Sequence, residues 1–192
     1  MIGWGPFVVG RVDLPAVDLG GDVTYDAGLR GRSLTGDLPD GFRADRHVRA
    51  VGEGEAAFAR AVAGVREWAP HRLGAGIAVH PSGPPSLGTR FVQHIRLGPA
   101  SVLAGCEVVA AADEPGHFAL AFGTLPLHPE TGEECFAVSL DPDGVVRFRV
   151  VAFSRFRHPL TRLGAPVTRW LQLRTQRQYL DGLEQYVGVS PE

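Results

Sequence analysis

Between Leu73 and Arg155 the chain repeats one pattern, a short run with apolar residues at alternate positions followed by a turn. Ile77 to His80 precedes a proline-rich turn at Pro81 to Pro85. Thr89 to Leu97 sets Phe91, Gln93 and Ile95 against Val92, His94 and Arg96. Val102 to Ala112 is long and apolar, and Phe118 to Gly123 puts Phe118, Leu120 and Phe122 on one face with Ala119, Ala121 and Gly123 on the other. Glu133 to Val138 resumes the extended pattern. Asp141-Pro142-Asp143-Gly144 is a strong turn signal, and Val145 to Arg155 closes the series, with Arg147, Arg149 and Arg155 on one parity and Phe148, Val150 and Ala152 on the other. Strands joined by connections this short pair antiparallel, because a parallel pair needs a crossover of a dozen residues or more. A meander is therefore expected, and a doubly wound nucleotide-binding sheet is not.

Helices flank this series. Ahead of it, Phe42 to Val51 alternates like an edge strand, and Glu53 and Glu55 supply acidic charge to a first helical turn. Phe58, Val62, Val65 and Trp68 or Ala69 follow at helical spacing until Pro70 stops the pattern. Behind it, Pro159 to Leu163 makes a short helix, Gly164-Ala165-Pro166 interrupts, and a long helix is expected over Pro166 to Val187. There Trp170, Leu173, Leu180, Leu183 and Val187 form an apolar stripe, and Thr168, Gln172, Thr175 and Tyr179 a hydrogen-bonding stripe beside it. Residues 1–40 are rich in glycine, proline and aspartate, with Val23-Thr24-Tyr25 as the one hint of a strand. They read as an arm laid on a single domain formed by residues 41–192.

The fold class this order specifies is α+β, of the helix-grip type: a curved antiparallel sheet wrapped around a long C-terminal helix. At 192 residues the chain is long enough for one domain with a real core. Net charge is -2, and all 19 basic residues are arginine, so no basic field marks a nucleic-acid partner. No stretch has the length and apolarity of a bilayer span, and Met1 to Arg11 lacks the basic start of a signal peptide. Two cysteines, Cys106 and Cys135, on separate strand patterns are expected as free thiols, which fits a cytoplasmic protein.

Chemistry concentrates in the hairpin loop. Pro126 cannot continue a ladder, and His128-Pro129-Glu130-Thr131-Gly132 turns the chain. His128 with Glu130, Glu133 and Glu134 has the residue types of acid–base work, so His128, Glu133 and Glu134 are the catalytic candidates. A solvated hairpin loop accounts for the same residues. One histidine among loop carboxylates is a poor metal pattern, and no metal or cofactor is expected. Cys135 beside Glu134 lacks the cationic surroundings that activate a thiol. No G-x-S-x-G elbow, phosphate-binding glycine loop or H-E-x-x-H is present.

Several stretches carry a more specific likeness. C-E-V-V from Cys106, F-G-T-L-P-L-H-P-E-T-G-E-E-C-F from Phe122, A-F-S-R from Ala152, L-G-A-P-V-T-R-W-L-Q from Leu163 and R-Q-Y-L from Arg177 resemble the bacterial family numbered 1990 among domains of unknown function. Glu107 and Cys135 stand where that family usually has arginine, Leu127 where it has glycine, Arg147 where it has tryptophan, and Phe156 where it has proline. The family is similar to the START-like and birch-pollen-allergen-like proteins. That resemblance implies the helix-grip fold and a small, largely apolar ligand held between sheet and helix. Phe122, Gly123, Thr124, His128, Glu133, Arg155, Gln172, Thr175 and Tyr179 are the residues expected around it, with the small face Ala119-Ala121-Gly123 making room above the sheet. The alternatives are an enzyme of the cyclase, hydrolase or lyase sort acting through His128 or Glu133, and a structural module with a filled core.

Overall fold

The computed structural model describes residues 2–188, with side chains from residue 5 onward. Nine strands form one antiparallel sheet: β1 (Ile2–Trp4), β2 (Phe7–Val9), β3 (Arg43–Glu53), β4 (Ala78–His80), β5 (Arg90–Leu97), β6 (Ala100–Glu114), β7 (His117–Thr124), β8 (Glu130–Leu140) and β9 (Val145–Phe156). From β5 to β9 each strand pairs with its successor, and β3 closes the far edge against β9. The alternating runs thus form the expected meander, with β3 an edge strand. Bulges between Ala50 and Gly52 in β3 and between Val108 and Ala110 in β6 add twist, which curls the sheet.

The concave face holds the main core. Phe91, Val108, Leu120, Phe122, Phe136, Val138, Phe148 and Val150 point into it. It is covered by α2 (Gly54–Arg66) and by the C-terminal half of α4 (Ala165–Gly188), through Ala61, Val65, Tyr179, Leu180, Leu183 and Val187. Aromatic rings run across the sheet, with centroids 4.6 Å apart for Trp68 and Phe91, 5.4 Å for Phe91 and Phe122, and 5.2 Å for Phe122 and Phe136. Each such pair adds about 0.5–1.5 kcal/mol beyond the burial of its area.

The end of α2 differs from expectation. Trp68, not Pro70, breaks the helix: it takes a left-handed φ of 61°, and its indole nitrogen donates to the Gly83 carbonyl at 2.9 Å. Pro70 instead begins a further helical turn, Pro70–Gly74. That turn lies backbone to backbone on α4. A Cβ at Gly182 would stand 2.5 Å from the Gly74 nitrogen and 2.9 Å from the Ala69 carbonyl oxygen.

Residues 1–40 do more than lie along the surface. The β1–β2 hairpin extends the sheet by pairing with β6, and α1 (Arg32–Thr35) seats Leu34 on the convex face over Ala119, Ala121, Cys135 and Ala137. Val23-Thr24-Tyr25 makes no strand; Thr24 donates a single amide hydrogen bond to the Thr124 carbonyl at 2.9 Å. The small-residue face of β7 therefore makes room for this arm, not for a ligand. Trp170 also departs from its expected stripe: it is 57% exposed, beside Val167 at 63% and Leu163 at 85%. The buried stripe of α4 is Gln176, Tyr179, Leu180, Leu183 and Val187.

Adding a methyl at Gly182 should lower stability by about 2 kcal/mol or more, since it meets backbone atoms that cannot turn aside, overpacking costs up to about 3 kcal/mol, and removing a helical glycine returns at most about 1 kcal/mol. Urea unfolding of Gly182→Ala, compared with Gly188→Ala at a position open to solvent, measures this.

Candidate functional site

Toward its N-terminal end the inward face of α4 changes from leucine and valine to Gln172, Thr175 and Gln176. These side chains do not fill the curve of the sheet, and a cavity of about 280 Å³ remains. Apolar lining comes from Ile95, Val102, Ala104 and Phe122 on the strands and from Leu171 on α4. Polar groups share the lining. Glu130 and Glu134 of β8, Gln93 of β5, Ser154 of β9 and Thr168, Gln172, Thr175, Gln176 and Tyr179 of α4 all border the space. Leu160, in the short helix α3 (Pro159–Leu163), and Leu97 line it and are also exposed, which marks the mouth.

Two hydrogen-bonded chains run from β3 through α4 to the carboxyls of β8. In the first, Arg169 pairs with buried Asp45 and donates to Gln172 Oε1 at 2.9 Å, and Gln172 Nε2 donates to Glu130 at 2.9 Å and Ser154 at 2.8 Å. In the second, His47 Nε2 lies 3.2 Å from Gln176 Oε1, and Gln176 Nε2 donates to Glu134 Oε2 at 3.3 Å. Gln172 and Gln176 are one helical turn apart, so the two chains run side by side.

Burial controls the ionisation of the cavity groups. It pushes the Glu134 carboxyl up to about 7, with nearby Glu130 and Asp45 adding to the rise and the Gln176 bond opposing it. Glu130 is likewise raised by burial, against the Ser154 bond and the charges of Arg43 and Arg169. Burial pulls His128 down to about 4, and its Nδ1 accepts from the Glu130 amide at 3.0 Å. His71, ringed by Trp68, Phe136 and Tyr179, is lowered to about 3 by burial and has no hydrogen-bond partner among the described residues.

Of the residues singled out in the sequence, Phe122, Thr124, His128, Glu134, Gln172, Thr175 and Tyr179 border the cavity. Glu133 borders it only along the chain. Its parity in β8 sends the carboxylate through the convex face, where it accepts from Tyr25 Oη at 2.8 Å, the Gly31 and Ser33 amides at 2.9 Å each, and Ser33 Oγ. Glu133 therefore cannot serve as an acid or base in this cavity. Gly123 also faces the arm: a Cβ there would meet Tyr25 Oη at 2.5 Å and Val109 at 2.8 Å. Arg155 is exposed, with its guanidinium 4.9 Å over the Phe42 ring, outside the cavity lining. The turn itself sits earlier than expected, because β8 already begins at Glu130. Gly132 within it has a φ of 146° and passes so close to β9 that a Cβ would overlap the Phe153 carbonyl.

Gln93, Glu130, Ser154 and Gln176 complete the polar lining, although the sequence patterns did not single them out as ligand contacts. Gln176 was within reach of the helical spacing, one turn beyond Gln172. Cys106 lies on the concave face and Cys135 on the convex one, each a free buried thiol. No group of three or more histidine, cysteine, aspartate or glutamate side chains among the described residues is arranged to hold a metal ion.

A family model described as "Domain of unknown function (DUF1990)" matches residues 26–182. The chain belongs to this family. A UPF0548 protein of Deinococcus radiodurans is 35% identical over 180 residues, covering 82% of this chain and 85% of that one. UPF0548 protein At2g17695 of Arabidopsis thaliana is 26% identical over 157 residues, covering 79% and 76%. Among solved structures, hypothetical protein jhp0584 of Helicobacter pylori superposes with a TM-score of 0.55 at 14% identity, covering 90% of this chain and 99% of that one. At that identity the likeness is one of fold alone.

The two neighbouring glutamates should behave in opposite ways. Glu133→Gln places an amide nitrogen among four donors and should cost about 3 kcal/mol or more, read by urea unfolding. At Glu134 the raised pKa means that folding opposes ionisation. Its contribution is fully present below about pH 4.5, declines as pH rises, and is lost above about pH 7. The stability of Glu134→Gln relative to the parent should therefore rise between those limits, by on the order of 3 kcal/mol, and stay level on either side.

Proposed function

We propose that the protein binds a small, largely apolar molecule in the cavity between the sheet and α4. The observation that carries this is the cavity itself, whose lining combines apolar side chains with a few polar ones, as a small-molecule site requires. At about 280 Å³ it approaches the lower end of the ~300–1,000 Å³ usual for such sites. A purely structural module would be expected to fill this space, since voids among core residues weaken a fold. Tyr179 and the carboxamides of Gln172 and Gln176 orient the ligand, and neutral His128 borders the same space.

A second reading, acid–base catalysis of the cyclase, hydrolase or lyase sort, rests on Glu134, whose ionisation near pH 7 in an apolar space suits proton transfer. It passes over Glu133, which is held on the other face, and His128, whose Nδ1 is engaged by a backbone amide. Two unpaired buried thiols fit a reducing compartment such as the cytoplasm. No helix among the described residues is long and apolar enough to cross a membrane.

Filling the space tests the proposal. Thr175→Phe and Ala152→Leu each add carbon to the cavity wall. Both should stay folded and lose uptake of the uncharged fluorophore Prodan by tenfold or more, followed by fluorescence titration. Full uptake by either folded variant would refute the site.

A further inference from the structure

The hydrogen-bond partners of the cavity groups are unevenly distributed. Glu133 and Glu134 are adjacent in β8, yet Glu133 accepts four hydrogen bonds while Glu134 accepts one among the described residues, at 3.3 Å. Gln93 has the same shortage. It is 7% exposed and lines the cavity, but its Oε1 has only the Tyr179 hydroxyl at 3.4 Å, and its Nε2 only the weakly accepting Cys106 sulfur at 3.9 Å. Polar groups on a cavity are ordinarily satisfied, so the half-buried Glu134 carboxyl and Gln93 Oε1 leave places for donors brought from outside, and Gln93 Nε2 leaves a place for an acceptor.

The charge of the lining narrows the ligand further. No arginine among the described residues lines the cavity, and the chain has no lysine. The nearby arginines lie outside the lining: Arg169 pairs with Asp45, and Arg43, whose charge reaches Glu130, stacks 3.8 Å over the Phe156 ring with its Nε and Nη2 unpartnered among the described residues. The ionisable carboxyls in the lining, Glu130 and Glu134, meet only carboxamide and hydroxyl partners there. A ligand carboxylate would enter a space with two acidic groups and no cation, which costs several kcal/mol without compensation. A protonated amine brings three donors and the missing positive charge.

Resting on the cavity reading above, we propose that the ligand is an alkyl amine, its chain against Phe122, Ile95 and Leu171 and its ammonium group on Glu134 with Gln93 as a further acceptor. A chain of about eight to ten carbons fills the volume, taking roughly 30 Å³ for each carbon by analogy with a water molecule's share of the liquid.

The test is competition against bound Prodan by octylamine, octanol and octanoate, which share a chain and differ in head group, at pH 7.5 and fixed ionic strength. Octylamine should displace the probe at a concentration at least tenfold below octanol, with octanoate weakest. In Glu134→Gln the amine's advantage over the alcohol should fall to within about threefold. Octanoate binding as tightly as octylamine would overturn the proposal, as would an undiminished amine advantage in folded Glu134→Gln. If Prodan enters but the three head groups compete equally, the amine assignment fails and the cavity reading stands. If Prodan does not enter and native mass spectrometry detects no octylamine adduct either, the cavity reading itself fails and the amine assignment with it.

Discussion

Strands β7 and β8 are buried along nearly their whole length on both faces, and the rest of the chain is arranged around the need to cover them. An antiparallel sheet ordinarily leaves one face to water and alternates accordingly. Here alanine, cysteine and glycine occupy the second face, so it has little bulk of its own and must borrow a cover. The N-terminal arm provides it, fixed by Tyr25, Gly31 and Ser33 to the Glu133 carboxylate, which β8 turns to that side. The energetics are local and directional: four donors converge on Glu133, a position within the sheet where an unpartnered charge would be costly.

The concave cover is divided along its length. Over its C-terminal half, α4 meets rings and branched aliphatics, and Gly74 and Gly182 let two backbones touch. Over its N-terminal half the same helix carries carboxamides and hydroxyls, which reach across a gap to β8 and β9. One helix therefore serves as core at one end and as a cavity wall at the other. The change occurs between Gln176 and Leu180, within about one turn. A buried carboxyl in such a gap is an expense in stability that packing alone does not explain, and this makes Glu134 more informative than any of the aromatic residues around it.

The meander, the edge strand β3, the long terminal helix and the family were legible in the sequence because each rests on periodicity or on a run of specific residues. Which face each pattern turned to was less accessible. The small face of β7 was correctly separated from its aromatic face, but alternation cannot say whether a small face receives a ligand or a piece of the same chain. Only the position of Tyr25 and Leu34, nearly a hundred residues upstream, decides it. The same parity argument, applied to Glu133 and Glu134, would have sent one to each side. The hairpin loop concealed it, because β8 begins at Glu130, before the glycine expected to end the turn. Trp170 misled for a related reason: an apolar residue on a helix marks a buried face only if something lies opposite, and Trp170 is 57% exposed, off the face on which Thr168, Leu171 and Gln172 line the cavity.

The Gly74–Gly182 contact has a mechanical side. It holds α4 near its C-terminal end, while the N-terminal end rests on Arg169 and the two glutamines. From Gly182 back to Ala165 the helix runs about 25 Å at 1.5 Å per residue. Over that lever a tilt of about 5° at the pin displaces the far end by roughly 2 Å, about half the width of a methyl group. A close backbone contact at one end of the helix therefore bears geometrically on the width of a gap at the other.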